Sequence, residues 1–242
     1  MSRRLTLLLA LLLAGCASQN EPAHPLPQPA AWKAVLIAGD DAEPAFDNAV
    51  DAMAAKLQGY GVRPQDIVTL KASASGALKA TRANMEEAFS KLDLGPLDGC
   101  FVFITSHGFP RRGLFLKAVD GALSPRQLDG LLDRGCAENP TVVIASGCFS
   151  GIFASGWSMP AANRTILTAA QSDRASFGCN VGRQFTIFDE CVLGNLDAGR
   201  PWVSVMERVR GCVVRSEEAT DYEPPSNPQV SVGRAVEGLT AF

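Results

Sequence analysis

The hydrophobic pattern of this chain alternates between short apolar runs and stretches of helical period. Cys100-Phe101-Val102-Phe103-Ile104-Thr105-Ser106 and Thr141-Val142-Val143-Ile144-Ala145-Ser146-Gly147 are rich in β-branched and aromatic residues and show no polar alternation. That is the pattern of strands buried on both faces of a parallel sheet. Trp32 to Ala38, Ile67 to Leu70 and Arg164 to Ala169 read as further strands, and Asn227 to Val232 as a candidate edge strand. Between them, Phe46 to Gln58 carries apolar residues at Ala49, Val50, Met53, Ala54 and Leu57, and Gly59 and Gly61 close it as a helix. Thr81 is placed to cap a helix whose inner face holds Met85, Ala88, Phe89 and Leu92. Ser124-Pro125 reads as N-cap and first residue of another, and Ile187 to Leu196 and Trp202 to Val209 as two more. Gly113 to Lys117 reads as a small hairpin or strand insert. Strands alternating with helices predict a doubly wound α/β fold with a mainly parallel sheet. One crossover separates the two long runs, so they are expected to be neighbours.

Both long runs end in a reactive residue. The first leads into His107-Gly108 and the second into Cys148. Side by side in a parallel sheet, they bring imidazole and thiol to the carboxyl edge, where open α/β sheets place their ligands. The chain has two histidines, and the other, His24, lies in a polar N-terminal stretch. An imidazole assists a thiol nucleophile by managing its proton. The flanking Gly108 and Gly147 leave room for substrate backbone, and the amides of Gly108 and Cys148 are candidates for holding a tetrahedral oxyanion. An α/β-hydrolase elbow does not fit: Gly147 to Gly151 would centre Phe149, and no histidine follows Cys148.

The N-terminus changes the picture. Arg3 and Arg4 precede an apolar core from Leu5 to Leu13, too short to span a bilayer, and Leu13-Ala14-Gly15-Cys16 follows. The tetrapeptide resembles a bacterial lipobox, which implies a signal peptide over residues 1–15 and lipidation of Cys16. Ala17, rather than Asp, favours the outer membrane by analogy with enterobacterial sorting. Residues 16–31 contain Pro22, Pro25, Pro27 and Pro29 and read as a tether reaching ~45 Å. The folded domain is expected over 32–232, with 233–242 as a tail. The expected location is the bacterial cell envelope, anchored by lipid and facing the periplasm.

Composition narrows the remainder. Hydrophobic residues make up 47% of the chain, enough for one large core, and the formal net charge is −3. With no basic stripe, nucleic acid is not an expected partner. Of seven cysteines, Cys16 is assigned to lipid and Cys148 to chemistry. An exported chain meets an oxidising compartment, so disulfides are expected among the other five. Cys100 with Cys136 is the preferred pair, and Cys179 with Cys191 or Cys212 the second. No cysteine or histidine spacing suggests zinc, and no metal or organic cofactor is implied.

The chain resembles clan CD cysteine peptidases, most closely the legumain-like C13 family, which also includes the catalytic subunit of the GPI transamidase. The resemblance rests on Ala38-Gly39, Ser106-His107-Gly108, Leu114-Phe115-Leu116, Ser146-Gly147-Cys148-Phe149-Ser150-Gly151 and Asp173-Arg174-Ala175-Ser176-Phe177-Gly178. It implies a caspase-like three-layer α/β/α sandwich and a cysteine endopeptidase with a Cys148/His107 dyad. In that family the imidazole chiefly protonates the leaving amine and need not touch the thiol in the free enzyme. Asp40 is the candidate to orient His107. Ser146, Asp173, Arg174 and Ser176, with the loops Asp40 to Pro44 and Ser172 to Gly178, are the candidate substrate contacts. Two charges that select Asn in eukaryotic legumains are missing: the first loop has no Arg, and Ser146 replaces an acid. A catalytically silent binding or scaffolding lipoprotein is therefore the competing expectation. The expected partner is a peptide or protein substrate; hydrolysis is the default, with transpeptidation open.

Overall fold

The computed structural model describes residues 24–73, 78–179 and 182–242. Ten strands and five α-helices are found among them: β1 (Ala31–Ala38), α1 (Pro44–Gly59), β2 (Ile67–Lys71), β3 (Leu78–Lys79), α2 (Arg82–Ser90), β4 (Asp98–Thr105), β5 (Gly108–Phe109), β6 (Gly113–Leu116), β7 (Gly121–Leu123), α3 (Pro125–Gly135), β8 (Thr141–Ser146), β9 (Arg164–Thr168), α4 (Ile187–Asn195), α5 (Trp202–Glu218) and β10 (Gln229–Val232). Seven strands form one sheet in the order β10-β9-β8-β4-β1-β2-β3. Only β10 runs antiparallel to its neighbour. From β1 the chain moves outward through β2 and β3, then returns to lay β4 on the other side of β1. That reversal is the switch point at which such sheets open a crevice.

Period-two alternation divides the strand residues between two cores. Ala34, Leu36 and Ala38 of β1, Phe101 and Phe103 of β4, and Val142 and Ile144 of β8 pack with α1, α4 and α5. Val35 and Ile37, Val102 and Ile104, and Val143 and Ala145 pack with α2 and α3 on the other face. The result is the expected three-layer sandwich. The expected hairpin proves to be the middle of a small antiparallel sheet, β5-β6-β7, that begins immediately after His107.

Several expectations need correction. Helix α5 runs to Glu218, beyond the expected end at Val209. Its added turns bury Val213 and Glu217, and Glu217 accepts hydrogen bonds from the backbone and hydroxyl of Ser226. These tertiary contacts outweigh the helix-weakening Gly211.

Residues 24–31 are not a free tether. The Leu26 N–H donates to the Ala235 carbonyl at 2.8 Å, and Gln28 bonds Gly238 and Thr240. Residues 233–242 are not a loose tail. Val236, Leu239 and Ala241 are buried, and the Phe242 ring meets Trp32, Tyr60, Phe101 and Trp202. The expected lipobox and Cys16 lie outside the described residues.

Cys100 pairs with Cys136, as expected. The second disulfide joins Cys191 to Cys212, so Cys179 is a free thiol rather than half of a bridge. Cys191 lies on the buried face of α4 with Ile187 and Phe188, facing α5 where Cys212 sits, whereas Cys179 lies on the loop before α4.

Candidate active site

Register brings the two reactive residues together. Thr105 of β4 pairs with Ser146 of β8, and the ladder continues as the Ser106 N–H donates to the Ser146 carbonyl at 3.1 Å. His107 and Cys148 each follow within two residues, on adjacent loops at the carboxyl edge. The two loops then interlock through their glycines. A Cβ on Gly108 would lie 1.9 Å from the Cys148 carbonyl oxygen, and one on Gly147 would lie 2.5 Å from the Ser106 carbonyl oxygen. No real side chain tolerates either approach, so both glycines are steric requirements of this contact. Gly108 pairs with Leu114 of β6, and the Phe115 N–H donates to the His107 carbonyl at 2.7 Å, fastening the histidine loop to the small sheet.

Ser176 surrounds the thiol. Its backbone N–H donates to Cys148 Sγ at 3.4 Å and its hydroxyl at 3.8 Å, while the thiol donates to the Ser176 carbonyl at 3.4 Å. The sulfur thus accepts from two donors of Ser176 and donates to its carbonyl. The residue expected to touch substrate is thus engaged with the nucleophile. Phe149, held in the left-handed region at φ 59°, donates its N–H to the Arg174 carbonyl at 2.7 Å, so the Cys148 loop and the 171–179 loop brace each other. The Arg174 side chain pairs with Asp173 at 3.7 Å, and the Asp173 side chain is 69% exposed at the rim. Among the described residues, no hydrogen bond engages the Cys148 amide.

The His107 ring stands edge-on to Phe46 of α1, with centroids 5.2 Å apart and planes at 80°. Among the described residues no hydrogen bond joins it to Cys148. Asp40 does not orient it either: its Oδ1 accepts the N–H of Ala42 at 3.0 Å within its own turn, and Asp41 pairs with Lys117. The ring's position therefore comes from packing on Phe46 and from the backbone of its loop.

Ser146 is also not where it was expected. It is 1% exposed, and its hydroxyl is turned inward towards the carboxyl of Asp189. Asp189, in the first turn of α4, escaped the sequence reading. It is 0% exposed, and its Oδ2 accepts from the Thr105 hydroxyl at 2.7 Å. Burial pushes its pKa up to about 6, against the opposing pull of the Ser146, Thr105 and Thr186 hydroxyls. One carboxyl thus sits beneath the ends of both strands that carry the reactive residues. The available signal was Thr186-x-x-Asp189, the spacing of a helix cap with an acid at its third position; the Asp189 N–H does donate to Thr186 Oγ1 at 3.1 Å.

Comparison with known proteins agrees with this geometry. Solved structures that match include caspase-1 from Spodoptera frugiperda, with a TM-score of 0.63 and 14% sequence identity over 88% of this chain and 91% of that one. At that identity the likeness establishes the fold, a caspase-like one. No curated protein matches. The model of the peptidase C13 family matches residues 75–196. That span is half of the 242-residue chain and holds both interlocking loops, their glycines and the cradle around the thiol. The chain therefore belongs to the peptidase C13 family.

Proposed function

We propose that this protein is a cysteine endopeptidase of the cell envelope, acting through Cys148 and His107. The observation that carries the reading is the backbone contact of Gly108 against Cys148, which fixes imidazole and thiol loops on one edge of the sheet. In this reading the Cys148 thiolate, supported by the Ser176 N–H and hydroxyl, attacks the scissile carbonyl. The unengaged Cys148 amide and the Gly108 amide receive the oxyanion. His107 protonates the leaving amine, a role that needs no hydrogen bond to the thiol in the free enzyme. Water then releases the acyl group. Asp173 and Arg174, at the rim of the loop that braces Phe149, are the substrate contacts, and the 40–44 loop forms the opposite wall.

An envelope location rests on the sequence Arg3-Arg4, Leu5 to Leu13 and Leu13-Ala14-Gly15-Cys16, with Cys16 as the lipidated residue. Two disulfides support export to an oxidising compartment. Labelling cells with an alkyne-tagged fatty acid tests the anchor: wild type should take the label and Cys16→Ala should not.

The activity test is cleavage of a diverse peptide library by the purified protein, read by mass spectrometry, beside Cys148→Ala and His107→Ala. Cleavage by wild type alone is expected, and the residues flanking the cuts define the pocket. No cleavage, with Cys148 inert to thiol-directed electrophiles, would replace the peptidase by a silent binding or scaffolding lipoprotein.

A further inference from the structure

On the face of the sheet covered by α2 and α3, the two helices leave a groove of ≈ 210 Å³ between them. Its floor is apolar: Met85 of α2, Leu123 of β7 and Leu131 of α3 are all buried. Its rim is basic. Arg82 opens α2, Arg126 lies in the first turn of α3 and Arg134 in the last, and all three are exposed. Glu86 is the one acid of the lining, and it stands 3.9 Å from Arg134. Among the described residues, neither the Arg82 nor the Arg126 guanidinium has an ion-pair or hydrogen-bond partner. Elsewhere Arg63, Arg164, Arg174, Arg183, Arg200 and Arg208 each face a carboxylate. Three guanidiniums against one carboxylate thus ring an apolar floor, in a chain whose formal net charge is −3.

The groove lies close to the reactive edge. Leu123 pairs with Leu114 in the small sheet, and Leu114 pairs with Gly108, the residue after His107. Neighbouring strands lie about 4.8 Å apart, so the groove wall stands about 10 Å from the histidine loop, across one intervening strand. About three residues of extended chain span that distance. A polypeptide held at Cys148 can therefore lay a stretch only a few residues away into the groove.

We propose that this groove docks an acidic polypeptide segment carrying an apolar side chain, and that the segment belongs to the chain presented to Cys148. The first half stands on the groove alone; the second rests on the peptidase reading. A guanidinium keeps its charge at any working pH, and its planar fork meets a carboxylate with two parallel hydrogen bonds. Arg82 and Arg126 have those donors free, one on each helix, so aspartates or glutamates on both sides of an apolar residue find partners. The apolar side chain then covers the floor of Met85, Leu123 and Leu131. Docking here also supplies selection that the pocket beside Cys148 lacks, since the first loop carries no arginine and Ser146 is buried.

The probe is a fluorescein-labelled peptide of two leucines flanked on either side by two glutamates, and its control carries lysines in place of the glutamates. Fluorescence polarisation with the Cys148→Ala protein reads binding without cleavage. The acidic peptide should bind and the basic one should not. Arg82→Glu combined with Arg126→Glu should weaken binding about tenfold or more. An acid in a first helical turn suits the helix dipole, so this double variant should fold and melt with wild type. With Cys148 intact, joining the acidic stretch to a cleaved peptide should lower KM about tenfold at unchanged kcat, and the double variant should erase that advantage. Binding indifferent to the double substitution, or to lysine in place of glutamate, would overturn the groove. Binding that leaves KM unchanged would overturn its link to the substrate. Binding with no cleavage of any peptide would strike the peptidase reading and leave the groove standing. Retention on phosphatidylglycerol vesicles through the same arginines, with no peptide bound, would overturn the proposal in favour of a lipid surface.

Discussion

Asp189 is a carboxyl in a place with no water, and its effect on stability has a definite sign. An unfolded Asp titrates near 3.9, and burial raises this one to about 6 in the fold. Between those values the folded state keeps a proton that the unfolded state has lost, so stability falls as pH rises through the window. The contribution is complete below about pH 4 and lost above about pH 6, an effect of about 3 kcal/mol. Asp189→Asn retains an oxygen for the Thr105 hydroxyl and removes the titration. The difference in melting temperature between variant and wild type should therefore grow by roughly 6–10 °C from pH 4 to pH 7. A difference that stays flat over that range would show that the group is not held in this environment.

Gly108 makes a second residue-level prediction. Gly108→Ala places a methyl 1.9 Å from the Cys148 carbonyl, so the loops must part. A stability loss of about 1–3 kcal/mol should accompany loss of peptide cleavage, measured by thermal unfolding and the library assay. His107, Cys148 and the two glycines were legible because strand, turn and reactive residue are contiguous in sequence. Asp189, Thr105 and Ser146 meet only after the chain has crossed the sheet, so no local pattern announces that they share a carboxyl.

At the scale of the elements, structure was legible in the sequence where a local device decides it. Ser124 and Gln127 cap α3 reciprocally: the Gln127 N–H donates to Ser124 Oγ at 3.4 Å and the Ser124 N–H to Gln127 Oε1 at 2.9 Å. Ser124→Ala should cost about 1 kcal/mol, read as a fall in the denaturant midpoint without a change of slope. Local signals failed for α5, whose last turns depend on burial of Val213 and Glu217, and for the second disulfide. Cys191 stands three and four residues from Phe188 and Ile187, on the same apolar face of α4, and that spacing carried the information. The bridges close loops with sequence separations of 36 and 21 residues. Cys100→Ser with Cys136→Ser should cost about 3–4 kcal/mol, because the end of α3 then loses its covalent hold on the start of β4. An unchanged melting temperature would mean that the pair does not bridge the chain in solution.

For the molecule as a whole, the parallel sheet and its two helical layers were readable because each long strand is apolar on both faces and helices separate the strands. The limits of the folded unit were not. Proline in residues 24–31 and polar residues near the C-terminus suggested excursions from the domain, yet these segments bond to each other and pack on the same core. Backbone bonds join Leu26 to Ala235, and the Gln28 side chain joins Gly238 and Thr240. Phe242 completes an aromatic cluster with Trp32, Tyr60, Phe101 and Trp202, residues drawn from β1, the end of α1, β4 and α5. Deleting residues 235–242 exposes the apolar surface that Val236, Leu239, Ala241 and Phe242 cover, so the shortened chain should melt far lower or fail to remain soluble. Phe242→Ala is the gentler probe: about 2 kcal/mol lost, with the fold retained. At the other end, a chain starting at residue 24 keeps every contact named here and serves as the reference. One starting at residue 32 should be destabilised through loss of Leu26 and Gln28. If both shortened termini leave the melting temperature unchanged, the domain ends where composition suggested, and the aromatic cluster contributes nothing to holding the sandwich closed.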